Sequence, residues 1–303
     1  MNWRTSSNLE WLRGLPRVEA DHPLARHTSF NIGGPADFFL EAPDAPTLAA
    51  LSDAALERGI PFRVLGAGTN LLVSDAGVEG LVARTVDREF RRDGESVYGA
   101  AGLKMMRLAR LAADQDLVGL EFAIGIPGTV GGAVYQDAGC WGSEVRDILL
   151  EVHGHRPGSG SRNWQPAQLE LGYRTSAFRD GDLAGQLVSG AWFQLREGDG
   201  AAAKRQMARW TAERQRTQPI KSKNCGSVFR NPPGDSAGRL VEAAGLKGAR
   251  AGGAVISTVH SNFIENTGDA TAADVRSLLD RAVAEVSRQF GVTLEPEVEM
   301  LGR

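Results

Sequence analysis

Apolar positions recur at helical spacing in several places along the chain. Leu48, Leu51, Ala55 and Leu56 predict a helix over residues 46–58, with Gly59 as its stop. Met105, Leu108, Leu111 and Ala112 form the apolar stripe of a second helix over 103–115. A third, over 201–218, is densely charged, ends at Pro219 and reads as a connector between domains. The clearest pattern covers 272–290, where Val275, Leu278, Leu279, Ala282, Val283 and Val286 share one face. Thr271 with Asp274 matches a capping box there, and Gly291 closes the helix. A shorter helix is expected over 237–244.

Short apolar runs between turn residues predict strands at 36–40, 62–65, 71–73, 97–100, 148–152, 186–195, 254–257, 263–264 and 292–301. The patch Arg156-Pro157-Gly158-Ser159-Gly160-Ser161 reads as a hairpin tip or exposed loop. Residues 1–22 are mixed and are expected to lie against the surface. The interleaving predicts an α+β chain, and 303 residues suit two or three domains. Composition shifts place cuts near Ala83 and Ala202.

Composition narrows the function. A net charge of −3 gives no reason to invoke nucleic acid or an anionic membrane. Cys140 and Cys225 make no disulfide framework, so a reducing cytoplasm is expected. Residues 1–16 hold no apolar core of the signal-peptide kind, and no run approaches the roughly 18 apolar residues of a membrane span. No His, Cys and carboxylate cluster has metal-ligand spacing, so no metal is expected. Glycine is abundant, 37 of 303, which suits close backbone approaches.

Two glycine-rich loops stand out. One is Gly66-Ala67-Gly68-Thr69-Asn70-Leu71, entered from an apolar run. The other is Gly125-Ile126-Pro127-Gly128-Thr129-Val130-Gly131-Gly132-Ala133. Bare backbone N–H groups in such turns suit phosphate oxygens, and two loops could hold a pyrophosphate from two sides. Plain turns would carry the same composition. Neither loop fits the Rossmann fingerprint, because Leu71 stands where its third glycine would be.

Seven stretches taken together resemble the flavin-dependent UDP-N-acetylenolpyruvoylglucosamine reductases. They are Phe30-Asn31-Ile32-Gly33-Gly34-Pro35-Ala36-Asp37, the 65–72 loop, the segment 119–133 and Tyr173-Arg174-Thr175-Ser176. Cys225-Gly226-Ser227-Val228-Phe229-Arg230-Asn231-Pro232, His260-Ser261-Asn262-Phe263 and Leu294-Glu295-Pro296-Glu297-Val298 complete the set, in the family's order. The compact connection from Arg174 to Ser227 looks like the family's shorter type. Two departures stand beside these matches: Gln136-Asp137 where members usually have Met-Asn, and Cys140-Trp141 for a small residue and a tyrosine.

The resemblance implies three domains: 1–83 and 84–202 holding FAD in the vanillyl-alcohol-oxidase manner, and 203–297 binding substrate, with 298–303 returning to the first. It implies FAD held by the two glycine loops, NADPH as hydride donor, a sugar-nucleotide substrate, a monomer and a role in peptidoglycan precursor synthesis. Hydride addition to an enolpyruvyl ether pushes charge onto the adjacent carbon and carboxylate, which then needs a proton. Ser227 is the implied proton donor, Arg174 the group holding the developing charge, and Glu297 a protonated or orienting third member. Tyr173, Asn231 and Arg214 are expected to contact substrate, Arg214 and Arg216 at its diphosphate. His260 and Asn262 fit either a substrate-side loop or a structural role. Competing expectations are another oxidoreductase of the same flavin fold, such as an alcohol oxidase, and a catalytically silent nucleotide-binding module.

Overall fold

Helix Ala272–Phe290 forms as its sequence pattern predicts. The Thr271 side chain accepts the Asp274 N–H at 3.1 Å, the Asp274 carboxylate accepts the Thr271 N–H at 3.0 Å, and Gly291 turns left-handed at φ 69°. Two further N–H groups of its first turn, on Ala272 and Ala273, donate to the Asp75 carboxylate at 2.8 and 3.1 Å. That distant cap has no signature in the local sequence.

The computed structural model describes residues 3–303. The chain divides into two units. The first contains the described residues through 20, with 38–67 and 80–212; the second contains 21–37, 68–79 and 213–303.

In the first unit, a five-stranded antiparallel sheet has the order Gly160–Trp164, Leu149–Arg156, Leu187–Gln194, Ser96–Ala100, Phe90–Asp93. The turn between Leu149–Arg156 and Gly160–Trp164 is the hairpin tip expected from the Pro-Gly-Ser patch. Helix Met105–Ala113 buries Met105, Leu108, Ala109, Ala112 and Ala113 in a core that also takes Phe122, Ile124, Val130, Val134 and Phe193. A separate core joins Trp3 and Leu12 to Phe38, Leu40, Leu48, Leu51, Ala55 and Leu81. Helix Ala45–Glu57, capped by Asp44, and strand Phe62–Leu65 belong here. That strand runs parallel to Val78–Thr85, with Phe62 opposite Leu81.

In the second unit, a three-stranded antiparallel sheet, Arg250–Ala251, Ala254–Ile256 and Ile264–Asn266, accompanies helices Ala237–Ala243 and Ala272–Phe290. Their core includes Leu240, Val241, Ile256, Ile264, Val275, Leu278 and Leu279, together with Phe30, Ile32 and Leu72. Strand Glu299–Leu301 runs parallel to Leu71–Val73.

Three expectations need correction. The mixed N-terminal stretch contains helix Ser6–Gly14, with Trp3 and Leu12 buried; Asn8 donates to the Trp3 and Arg58 carbonyls at 2.7 and 3.1 Å. The expected strand over 292–301 narrows to Glu299–Leu301, because Pro296 has no N–H to give a ladder. The second glycine loop is a helix over Val130–Tyr135, despite Gly131 and Gly132. Thr129 caps it, and backbone bonds from Val130 to Leu103 and Gly131 to Ala101, 2.8 and 3.0 Å, override the poor helix propensity.

Candidate active site

In the first unit, strand Phe62–Leu65 ends on buried Leu65 and delivers Gly66 beside the second glycine loop. A Cβ on Gly66 would lie 2.8 Å from Thr129 Oγ1. Gly132 is exposed, and a Cβ there would come no nearer than 3.7 Å to the same oxygen. Bare backbone therefore borders Thr129 from both loops. Gly125, Ile126, Thr129, Val130 and Ala133 are buried; Gly66, Ala67, Gly128 and Gly131 are half-buried, and Pro127 and Gly132 are exposed. Gly125 has a further packing role, since a Cβ would meet the Cys140 thiol and Trp141 Nε1. The Trp141 indole N–H is buried with no acceptor among the described residues, while its ring stacks on Trp210 at 5.4 Å and 5°. Uncovered backbone and an unpartnered donor fit a group rich in acceptor oxygens and nitrogens, as FAD is.

The other half of the first loop is built in the second unit. Gly68 has φ +61°, a Cβ there would collide with the His27 carbonyl, and its own carbonyl accepts the Ser29 N–H at 3.0 Å. Thr69, Asn70 and Leu71 are half-buried.

Tyr173 and Arg174 sit on a tight turn of the first unit, closed by reciprocal backbone bonds between Gly172 and Thr175 of 3.2 and 3.0 Å. Arg174 takes a left-handed φ of 60°. Its guanidinium donates to the carbonyls of Asp137 and Gly139 at 3.4 and 3.0 Å and lies 5.1 Å from the Tyr173 ring centre. Tyr173 is exposed. One of the two receiving carbonyls, that of Asp137, belongs to the Gln136-Asp137 pair singled out in the sequence.

Asp137 is fully buried, and one carboxylate oxygen accepts the Arg146 N–H at 2.9 Å. The other lies 3.3 Å from the Arg146 guanidinium without hydrogen-bond geometry. Burial pushes this carboxyl above the usual range, while the bond from Arg146 and the charges of Arg146 and Arg174 pull it back.

In the second unit, Ser227 follows Gly226, whose φ is +84° and whose N–H donates to Asn224 Oδ1 at 2.9 Å. The next residues run against the C-terminal segment: the Glu297 N–H donates to the Val228 carbonyl at 2.8 Å and the Arg230 N–H to the Glu295 carbonyl at 2.9 Å. The backbone segments that carry Ser227 and Glu297 are thereby paired. The Asn70 side-chain amide, expected at the cofactor, donates to the Glu297 carbonyl at 3.1 Å, and the Asn70 backbone carbonyl accepts the Glu299 N–H at 3.0 Å. Burial, and secondarily the Glu297 charge, push the Cys225 thiol far up, so it is inert as a nucleophile.

Asn231 is exposed, and its Oδ1 accepts the Ala237 N–H at 3.0 Å, at the start of helix Ala237–Ala243. Arg214 is half-buried in helix Gly200–Thr217 and donates to Gln218 Oε1 at 2.9 Å. His260 Nδ1 accepts the Asn262 N–H at 3.2 Å, which gives this histidine a structural task. The Asn262 side chain, paired with the Phe229 backbone, is the feature that sequence reasoning left unresolved.

A family model described as FAD binding domain matches residues 36–155. A second, described as UDP-N-acetylenolpyruvoylglucosamine reductase, C-terminal domain, matches 218–301. UDP-N-acetylenolpyruvoylglucosamine reductase of Anaeromyxobacter sp. is 44% identical over 306 residues, covering 99% of this chain and 95% of its own. UDP-N-acetylenolpyruvoylglucosamine reductase 2 of Symbiobacterium thermophilum is 42% identical over 294 residues, covering 96% and 94%. The crystal structure of the Thermus caldophilus reductase superposes with a TM-score of 0.81 at 36% identity, covering 94% of this chain and 99% of that one. With relatives this similar along nearly its whole length, the chain belongs to the UDP-N-acetylenolpyruvoylglucosamine reductase family.

Proposed function

We propose that this chain reduces the enolpyruvyl ether of UDP-N-acetylenolpyruvoylglucosamine to the lactyl ether of UDP-N-acetylmuramate, in peptidoglycan precursor synthesis. The observation that carries the reading beyond family membership is the pairing of the Ser227 and Glu297 segments through the Glu297–Val228 backbone bond of 2.8 Å. FAD, when bound, supplies a two-electron relay from NADPH to the substrate.

The protein's own groups do the rest. The loops around Thr129 and Gly66 hold the cofactor through uncovered backbone. Ser227 gives its hydroxyl proton to the carbon next to the substrate carboxylate; such a weak acid works only against a strongly basic centre held close. Arg174, fixed by the Asp137 and Gly139 carbonyls, meets the charge that develops on the carboxylate side. Glu297 orients the proton donor. Tyr173 and Asn231 contact the sugar nucleotide, and Arg214 with Arg216 its diphosphate.

We also infer three domains, 1–83, 84–202 and 203–297 with 298–303 returning to the first. Three apolar cores are present, although Phe30, Ile32 and Leu72 of the first segment pack into the core of the third. We further propose a cytoplasmic, monomeric enzyme; both cysteines are free thiols, as a reducing compartment would leave them. The test is spectroscopic: purified protein is yellow, bleaches with NADPH and recolours with the enolpyruvyl sugar nucleotide under anaerobic conditions. Bleaching without recolouring would remove the assignment.

A further inference from the structure

We infer that Asn262 is a positioning residue for Ser227, acting through the main chain that follows it; this rests on the reading of Ser227 as proton donor. Asn262 is 3% exposed and Phe229 2%. The Asn262 Oδ1 accepts the Phe229 N–H at 3.0 Å, and its Nδ2 donates to the Phe229 carbonyl at 2.9 Å. The Asn262 backbone carbonyl takes the Val228 N–H at 2.9 Å. One carboxamide thus does for Phe229 what a neighbouring strand does for a residue in a ladder.

The opposite edge of the same stretch is held by the C-terminal segment, through Val228 to Glu297 and Arg230 to Glu295, at 2.8 and 2.9 Å. Upstream, Asn224 Oδ1 fixes the Gly226 N–H at 2.9 Å. Ser227 is therefore bracketed by two side-chain amides, with Gly226 at φ +84° as the only residue of special backbone freedom between them. Without the clamp, the Phe229 N–H and carbonyl would both lose their partners, and the backbone bonds at Val228 and Arg230 would be left alone to hold Ser227 in register with Glu297.

The chemistry of the clamp requires a carboxamide. It needs one donor and one acceptor in a plane, which asparagine supplies and aspartate does not. An ionised aspartate in its place would point an oxygen at the Phe229 carbonyl in a buried setting, and serine would leave one backbone group unpaired. Packing explains the burial of Asn262 but not the use of both ends of its side chain on one residue.

The experiment uses full-length, FAD-loaded protein carrying Asn262→Asp or Asn262→Ser, each also combined with Ser227→Ala. Bleaching by NADPH should stay within about twofold of the parent, while recolouring by the enolpyruvyl substrate slows about 10²-fold, as expected for a misplaced reacting group. Exchange of the 227–230 amides with deuterium should accelerate in both variants, with or without FAD. In the Ser227→Ala background the Asn262 changes should add less than about twofold, because the coupling runs through Ser227. Parent-like recolouring in a folded Asn262 variant, or an equal loss in both backgrounds, would overturn the inference. Unimpaired recolouring by Ser227→Ala alone would instead remove the proton-donor reading on which it rests.

Discussion

The Glu297 amide N–H donates to the Val228 carbonyl at 2.8 Å, so the end of the chain is stitched to the segment that carries Ser227. Phe229 lies opposite Pro296 in the same pairing. A proline in this position leaves the bridge short: it can be paired but cannot extend a ladder. Two chemical groups from distant parts of the sequence thus share a register without a full strand pair between them.

Gly68→Ala is expected to cost about 2 kcal/mol or more, since it places a side chain at φ +61° and against the His27 carbonyl. The loss should appear in thermal unfolding of the FAD-free protein, and FAD affinity should fall with it. Unchanged melting would mean the backbone there relaxes freely.

Asp137→Asn should stabilise the protein at neutral pH by about 1 kcal/mol, because a buried carboxylate whose ion pair is imperfect is removed. Burial raises the folded carboxyl above its unfolded value, so its proton is held more tightly in the folded state. Stability tied to it is present below the unfolded carboxyl value and lost as pH rises through the raised folded one. The gain in melting temperature should accordingly be larger at pH 8 than at pH 4. An equal gain at both would place its origin outside this titration.

His260 gives the opposite trend. Burial holds its imidazole below the usual histidine range, opposed by the Glu242 charge and reinforced by Lys247. Its neutral Nδ1 accepts the Asn262 N–H at 3.2 Å. Because the folded state takes the proton less readily, stability is present above about pH 6.5 and lost as pH falls below it. Between pH 7.5 and 5.5 the parent should lose more melting temperature than His260→Gln. Equal losses would exclude this histidine as the source.

Much of this was legible in the sequence, for identifiable reasons. Helix Ala272–Phe290 announced itself because period, capping box and terminal glycine agree. Turn chemistry marked 156–161 as a hairpin tip or exposed loop, and the pairing of the strands on either side makes it the former. Helix Ser6–Gly14 was hidden because its apolar positions are few and its Asn8 bonds reach outside the helix. Helix Val130–Tyr135 was hidden because its stability comes from Thr129 and from backbone bonds to Ala101 and Leu103, against the preference of its own glycines. At the site, Ser227, Arg174 and Glu297 were pointed out by the resemblance of the motifs around them to a known family, and not by residue type, which fits an inert serine, arginine or glutamate equally well. The carboxamides that hold the Ser227 and Glu297 segments, Asn262 and Asn70, act on backbone groups far away in sequence, and no local pattern reports such a bond.

The most direct test of the central claim separates the two half-reactions of Ser227→Ala by stopped-flow absorbance. The account predicts flavin bleaching by NADPH at the parent rate, with recolouring by the enolpyruvyl sugar nucleotide slowed by about 10² to 10⁴, the usual worth of a positioned acid. Recolouring at the parent rate would contradict it.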